Sequence, residues 1–408
     1  MKWKNKGNEF DSIGHMLEGK NHLYIYGAGK NAKEILSVLD KAKKLIPWDI
    51  VLVDQDETKQ LSGWYEYPVI SPETFFNKNK ENYFVVISPV GQFESEIYQN
   101  LVMNAIPREL IFRQFSFLYV YLTIWFLYEH DMVFFNSINI CPSTVCNLNC
   151  RDCLNFTPYI KNHVIDDLDS VKHDVDLLFN SVDLIYRLQI TGGEPLLYRN
   201  LKDIFNYIDE NYRQKIFRLE MVTNGTIIPS DEICEFLREK KIYVFLDDYR
   251  MSLDDGDEKY NAVREKFERF GVTYEDNHVD LWIRMYPSVY NPKDFYDGLL
   301  KSNSLLSEEM TLVEKFTACN NPWTSLHDGK LSSCNYAMYA EKAGICKADE
   351  AEYFDLEKYD ETKKKELIEF RLRYNTKGYT EFCKVCGGWT ATNKALCQPA
   401  IQAKRSKK

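Results

Sequence analysis

The residues best equipped for chemistry in this sequence are thiols. Cys146, Cys150 and Cys153 form a C-x3-C-x2-C array just after an apolar run. Three thiolates confined to one short loop can converge on a single inorganic centre and leave one coordination position vacant. Structural zinc wants four ligands, whereas an iron–sulfur cubane held by three cysteines keeps one iron open to a small molecule. Buried thiols without a metal are the plain alternative. A second set comprises Cys319, Cys334, Cys383 and Cys386. Cys319 and Cys334 bracket Gly329 as C-x9-G-x4-C, which suits a β-hairpin turning at His327-Asp328-Gly329. Cys383-Lys384-Val385-Cys386 adds a C-x2-C pair. Four thiolates can saturate either zinc or a cubane, with Cys346 and Cys397 as substitutes, while Cys141 and Cys234 read as core thiols.

Parallel βα units are needed to present such loops, because their strand C-terminal ends gather at one edge. From Ser137 onward the strand candidates are Ser137–Ile140, Arg187–Ile190, Arg218–Val222, Ile242–Leu246 and Asp280–Arg284. Helical spacing falls near Asp166–Phe179, Leu201–Tyr212, Asp231–Lys240 and Glu258–Phe270, the last closed by Gly271. Upstream, His22–Tyr26 is an apolar strand followed by Gly27-Ala28-Gly29-Lys30-Asn31-Ala32, a G-x-G-x-x-A turn, and by a helix. A second strand, Asp49–Val53, ends at Asp54. This opening βαβ predicts a nucleotide-binding type of domain, with Gly27 and Gly29 letting a phosphate approach and Asp54 placed for a ribose hydroxyl. A tight turn without ligand and a solvated carboxylate are the alternatives.

The whole chain has 408 residues, 45% hydrophobic and 14% aromatic, enough for two or three domains with ordinary cores and incompatible with general disorder. A net charge of −10 argues against a nucleic-acid surface, and the basic tail Lys404, Arg405, Lys407 and Lys408 reads as a solvated end. The apolar stretch Phe115–Tyr128 is too short and too polar for a membrane span and reads as a buried helix or interdomain wedge. Met1 to Glu9 is charged with no apolar run behind it, so no secretory signal is expected. Eleven cysteines in a cytoplasmic chain then point to metal or redox chemistry rather than disulfides. The expected architecture is α/β: a Rossmann-like domain at 1–108, an aromatic-rich connection at 109–136, a parallel sheet or barrel at 137–318, which a family resemblance makes a partial (β/α)6 TIM-like barrel, and a small cysteine-rich, metal-organised module at 319–408, which the same resemblance makes an Fe–S module.

On these residues the sequence resembles the radical S-adenosylmethionine (radical SAM) superfamily from about Ser137 to Pro287. The cysteine triad, Gly192-Gly193-Glu194-Pro195 and Thr223-Asn224-Gly225 follow successive strands in the family's order. Asp152 departs from the family, which commonly has an aromatic residue before the third cysteine. The resemblance implies a [4Fe-4S] cluster on Cys146, Cys150 and Cys153 whose open iron chelates SAM, with Glu194 and the backbone of Gly192 and Gly193 holding its ammonium. A side chain at either glycine is expected to block the methionine end of SAM. Asn224 and Asp247 would meet ribose or carboxylate, or merely cap strand ends. Electron transfer from the cluster would release methionine and a 5′-deoxyadenosyl radical that abstracts substrate hydrogen. The C-terminal cysteines are similar to a twitch or shortened SPASM module, which implies an auxiliary [4Fe-4S] cluster on Cys319, Cys334, Cys383 and Cys386.

An electron acceptor near the substrate allows net two-electron oxidation, with a flavodoxin- or ferredoxin-type reductant feeding the first cluster. The proton acceptor is not readable from sequence; Tyr249, Arg250, Trp282, Arg284 and His327 are candidates by location only. The YIYGAGKNAKEI segment is similar to small Rossmann-like domains of sugar-modifying proteins, so the first expectation is an oxidoreductase or epimerase acting on a carbohydrate or nucleotide-linked sugar. The alternatives are a maturase acting on a ribosomally made peptide and a non-catalytic Fe–S scaffold.

Overall fold

A computed structural model describes residues 1–78, 80–286, 312–319, 321, 323–389 and 393–403. The basic tail from Lys404 lies outside them. The chain divides into two compact units, one made of Phe10–Asn136 and the other of Met1–Glu9 with Ser137–Lys408. The first nine residues, which the sequence reading put in the N-terminal domain, therefore cluster with the C-terminal unit, and 109–136 clusters with the N-terminal one.

The Phe10–Asn136 unit is built on β1 (His22–Tyr26), β2 (Asp49–Val53), β3 (Val69–Ile70), β4 (Tyr83–Ile87) and β5 (Ile111–Arg113), in the order β3-β2-β1-β4-β5. All four pairings are parallel. Strands buried on both faces need continuous apolar runs, which HLYIY, DIVLV and YFVVI supply. The helix Lys30–Lys41 buries Ala32, Ile35, Leu36, Val38 and Leu39, the one-sided spacing of a helix lying on a sheet. Phe117–Tyr121 forms a π-helical turn that runs into the helix Leu122–His130, where six consecutive residues from Leu122 to Leu127 are buried. The expected buried helix is thus present, and no helix among the described residues is long and apolar enough to cross a membrane.

The second unit carries a sheet ordered β10-β9-β8-β7-β6-β12-β13-β14. Its strands are β6 (Phe134–Ile140), β7 (Leu184–Ile190), β8 (Ile216–Thr223), β9 (Tyr243–Asp247), β10 (Tyr274–Asn277), β12 (Ser325–His327), β13 (Lys330–Ser332) and β14 (Tyr353–Asp355). The pairs β7–β8, β8–β9, β9–β10 and β6–β12 are parallel. Helices Leu168–Ser181, Leu201–Tyr212, Asp231–Glu239 and Gly256–Phe270 follow the first four strands in turn. Gly271 closes the last helix in the left-handed conformation.

One expected strand sits elsewhere. Within Asp280–Arg284 only β11 (Trp282–Ile283) forms, and it pairs antiparallel with β15 (Leu396–Cys397) in a separate two-stranded sheet. The edge position beside β9 belongs to β10, whose YEDN sequence is half-exposed and carries no apolar run. An edge strand wetted in this way gives no hydrophobic signal. The hairpin expected at His327-Asp328-Gly329 is present as β12–β13, with Asp328 and Gly329 both at positive φ, as its two-residue turn requires.

Candidate active site

Five successive strand ends converge on one cavity of about 570 Å3. The loop after β6 brings Cys146, Cys150 and Cys153, the turn after β7 brings Gly192, Gly193 and Glu194, and β8 is followed by Asn224. Asp247 ends β9 and Asn277 ends β10, and both reach the same cavity. All of the residues expected to bind SAM or its cluster are therefore gathered in one place. Gly27, Gly29 and Asp54 belong to the other unit.

The two glycines act differently from the expectation. A Cβ on Gly192 would lie 2.2 Å from the Ser143 carbonyl oxygen, and one on Gly193 would lie 2.1 Å from that of Val145. The clash is with the backbone leading into the cysteine loop, not with the cavity. Close approach lets Gly193 N donate to Ser143 O at 2.9 Å and Glu194 N to Val145 O at 2.8 Å. Glycine here locks two strand-end loops together.

Glu194 is buried, and its Oε2 accepts from Asn224 N at 2.8 Å. Oε1 accepts from the Thr223 hydroxyl at 2.9 Å and from Leu196 N at 3.1 Å. Burial pushes its carboxyl up to about 7 against the pull of those donors. Asp247 accepts from the Tyr249 hydroxyl at 2.7 Å and from Asn277 Nδ2 at 2.6 Å, and desolvation raises its carboxyl to about 6. Burial likewise lifts the Cys146 thiol to about 12 and the Cys150 thiol further, each reinforced by the charge of Cys153. Such thiols stay protonated at neutral pH unless a metal cation displaces the proton.

Of the residues considered as proton acceptors, Tyr249 and Trp282 line the cavity, in edge-to-face contact at 5.6 Å. Arg250 is paired with Asp248 at 2.8 Å, Arg284 lies 3.6 Å from Asp152, and His327 lies 3.3 Å from Asp166. Asp152 is thus committed to Arg284, and aromatic surface beside the cysteine loop comes from Tyr249 and Trp282 instead. The remaining wall was invisible to sequence reasoning. Trp323, Asn335, Tyr336 and Trp389 come from the C-terminal segment, with Tyr336 and Trp389 stacked at 5.7 Å. Arg187 lies between the Phe245 and Trp323 rings at 4.9 and 4.8 Å, and the buried Glu220 pairs with it at 2.8 Å.

Cys334, Cys383 and Cys386 share one buried cluster with Cys141, and Cys346 packs against its side. Each of the four expected ligands has a polar neighbour: Trp389 N for Cys319, Asn321 for Cys334, Thr380 for Cys383 and Gly388 N for Cys386. Burial pushes Cys334 up to about 11, eased by Arg373 and reinforced by Cys319 and Cys383. The buried Lys315 donates to the carbonyl oxygens of Cys383, at 2.7 Å, and Cys386. Three buried thiols with the half-buried Cys319 beside them, flanked by Lys315 and Arg373, suit an anionic metal–thiolate centre. Cys397 sits apart, near Asp152 and Arg284, in β15.

In the N-terminal unit Gly27 has φ +97 and would press a Cβ against Pro89 and Ser88. Asp54 accepts from Ala28 N at 2.7 Å and from Asp56 N at 3.0 Å, and Lys59 lies 3.6 Å away. Its carboxylate holds the glycine turn against β2.

Residues 140–277 match the family model of the radical SAM superfamily, which spans the end of β6 to the end of β10. Comparison with curated proteins finds no match. Among solved structures the chain is similar to native anSMEcpe with bound AdoMet, at 18% identity and TM-score 0.34, over 49% of this chain and 74% of that one. It is similar to Streptococcus suis SuiB bound to S-adenosylmethionine at 19% identity and TM-score 0.30, over 46% and 44%. The complex of BtrN with AdoMet and 2-DOIA gives 17% identity and TM-score 0.36, over 62% and 92%. The stretch that supplies the cysteine triad, the Gly-Gly-Glu turn and the later strand ends is a radical SAM domain.

Proposed function

We propose that this enzyme oxidises or epimerises a carbohydrate or nucleotide-linked sugar by radical SAM chemistry. One observation carries the reading: a single cavity joins the cysteine triad to a wall of aromatic rings and amides. Rings offer flat faces to sugar C–H bonds, and the amides of Asn139, Gln189, Asn277 and Asn335, each held through one of its atoms by a protein partner, offer hydrogen-bonding groups to hydroxyls.

Cys146, Cys150 and Cys153 would hold a [4Fe-4S] cluster with one iron left for SAM, which supplies a carbon-centred hydrogen abstractor when the sulfonium is reductively cleaved. Glu194 would accept the SAM ammonium, with Thr223 and the Asn224 backbone holding its carboxylate in place. Asn224 would face ribose or carboxylate. Asp247, already bonded to Tyr249 and Asn277, would bind a ribose hydroxyl or take the substrate proton.

Cys319, Cys334, Cys383 and Cys386 would hold an auxiliary [4Fe-4S] cluster, which supplies an electron acceptor. The glycine turn at Gly27 and Gly29, backed by Asp54, would seat a nucleotide.

Anaerobic reconstitution, reduction and a search for 5′-deoxyadenosine test the chemistry. Incubation with nucleotide sugars or with candidate precursor peptides, read by loss of two hydrogens or by deuterium uptake from solvent, tests the substrate. Turnover of peptides alone would overturn the carbohydrate reading, and absence of 5′-deoxyadenosine would overturn both.

A further inference from the structure

The segment Ala400–Ala403 returns to the loop that carries the cysteine triad. Arg151 N donates to Ile401 O at 2.8 Å and Ala403 N donates to Asn149 O at 2.7 Å. Asn149 Nδ2 donates to Ala403 O at 3.2 Å. Cys150 and Gln402 consequently face each other across an antiparallel bridge. The Gln402 side chain then engages the loop at two points. Its Oε1 accepts from Asn149 N at 2.7 Å, and its Nε2 donates to Cys150 Sγ at 3.4 Å and to Ala400 O at 2.6 Å. The other two thiols find partners within the barrel itself, Asn224 Nδ2 at 3.7 Å for Cys146 and the Thr157 hydroxyl at 3.7 Å for Cys153. Cys150 alone of the three draws its side-chain partner from the far end of the chain.

We propose that Gln402 is a positioning residue for the SAM-binding cluster: its carbonyl fixes the loop at Asn149 and its amide N–H stabilises charge on the Cys150 sulfur. The proposal rests on the reading that the triad holds that cluster. A donor to a ligand sulfur favours the more negative, reduced cluster and so raises its potential. Outer partners of this kind also slow ligand loss by holding the ligand's orientation.

Two full-length variants separate the roles. Gln402→Glu keeps an acceptor for Asn149 N but replaces the donor with a carboxylate oxygen, whereas Gln402→Leu removes both. In the reconstituted enzyme, a redox titration followed by electron paramagnetic resonance reads a lowered potential for the SAM-binding cluster in both variants, and an unchanged potential for the auxiliary one. Iron release to a chelator from the SAM-binding cluster rises about tenfold in Gln402→Leu, the low end of what outer-shell partners contribute. Maleimide labelling of Cys150 in the metal-free full-length protein also accelerates in Gln402→Leu, while labelling of Cys334 does not. Wild-type potential and iron retention in both variants would overturn the proposal, as would unchanged labelling of Cys150. A wild-type protein that binds no iron sinks the cluster reading instead, and the labelling experiment then decides alone whether Gln402 holds the loop.

Discussion

Glu194 shows how one residue ties geometry to a measurable titration. Its carboxyl sits near 7 because burial outweighs the donors from Asn224, Leu196 and Thr223. Between its ordinary value of 4.5 and about 7 the folded chain holds a proton that the unfolded chain has released. Ligand-free stability contributed by this group is therefore present at low pH and lost as pH rises through that window. In the proposed role, holding the SAM ammonium, Glu194 must be ionised, so SAM affinity is expected to fall as pH drops below about 7. Calorimetric titration with SAM across pH should show this slope in the wild type, and Glu194→Gln should both flatten it and weaken binding. An unchanged slope in that variant would assign the titration to another group.

Elements are held in place by a few buried charges. Asp174, on the helix Leu168–Ser181, accepts from Asp328 N at 3.1 Å and Gly329 N at 2.6 Å, and so fastens the β12–β13 turn that precedes Cys334. Asp174→Ala leaves both donors unpaired and should cost about 1–3 kcal/mol, measured by thermal or urea unfolding. Lys315, on the helix Leu312–Ala318, performs the same service for the Cys383–Cys386 turn. Lys315→Met keeps the apolar stem and removes the donor. Its expected outcome is loss of iron from the auxiliary site with the SAM-binding cluster retained, so iron per chain falls from about eight toward four, by the four-iron stoichiometry of each cubane. A full iron content with wild-type stability would show that the turn stands without it.

At the scale of the whole chain, the Phe10–Asn136 unit lies in sequence between two pieces of the other. The first piece, Met1–Glu9, is pinned by the buried Glu369, whose carboxylate accepts from Trp3 Nε1, Gly7 N at 2.7 Å and Glu9 N at 2.8 Å. Glu369→Ala removes all three bonds at once. Trypsin cleavage near Lys4 and Lys6 should then speed up at least about tenfold, since each bond to a charged group is worth about 1.5–3 kcal/mol and 1.4 kcal/mol is a factor of ten. Cleavage at the wild-type rate would mean that backbone pairing of Trp3 with Asn375 holds the segment unaided.

The cysteine spacing, the Gly-Gly-Glu turn and the apolar runs of β1, β2 and β6 to β9 are local patterns, so the radical SAM motifs and the parallel strands that carry them were legible in the sequence alone. So was the Asp328-Gly329 turn, because a positive φ at two successive positions is a property of the residues themselves. Tertiary structure alone decided that polar β10 takes the edge in place of 280–284, because an edge strand needs no apolar signature. It also decided that Gly192 and Gly193 clear the Ser143 and Val145 carbonyls, and that Trp323, Tyr336, Trp389 and Gln402 arrive at the barrel mouth. Those contacts join residues more than a hundred positions apart in the second group, and nothing periodic or short-ranged in a chain encodes which distant side chain will close a cavity.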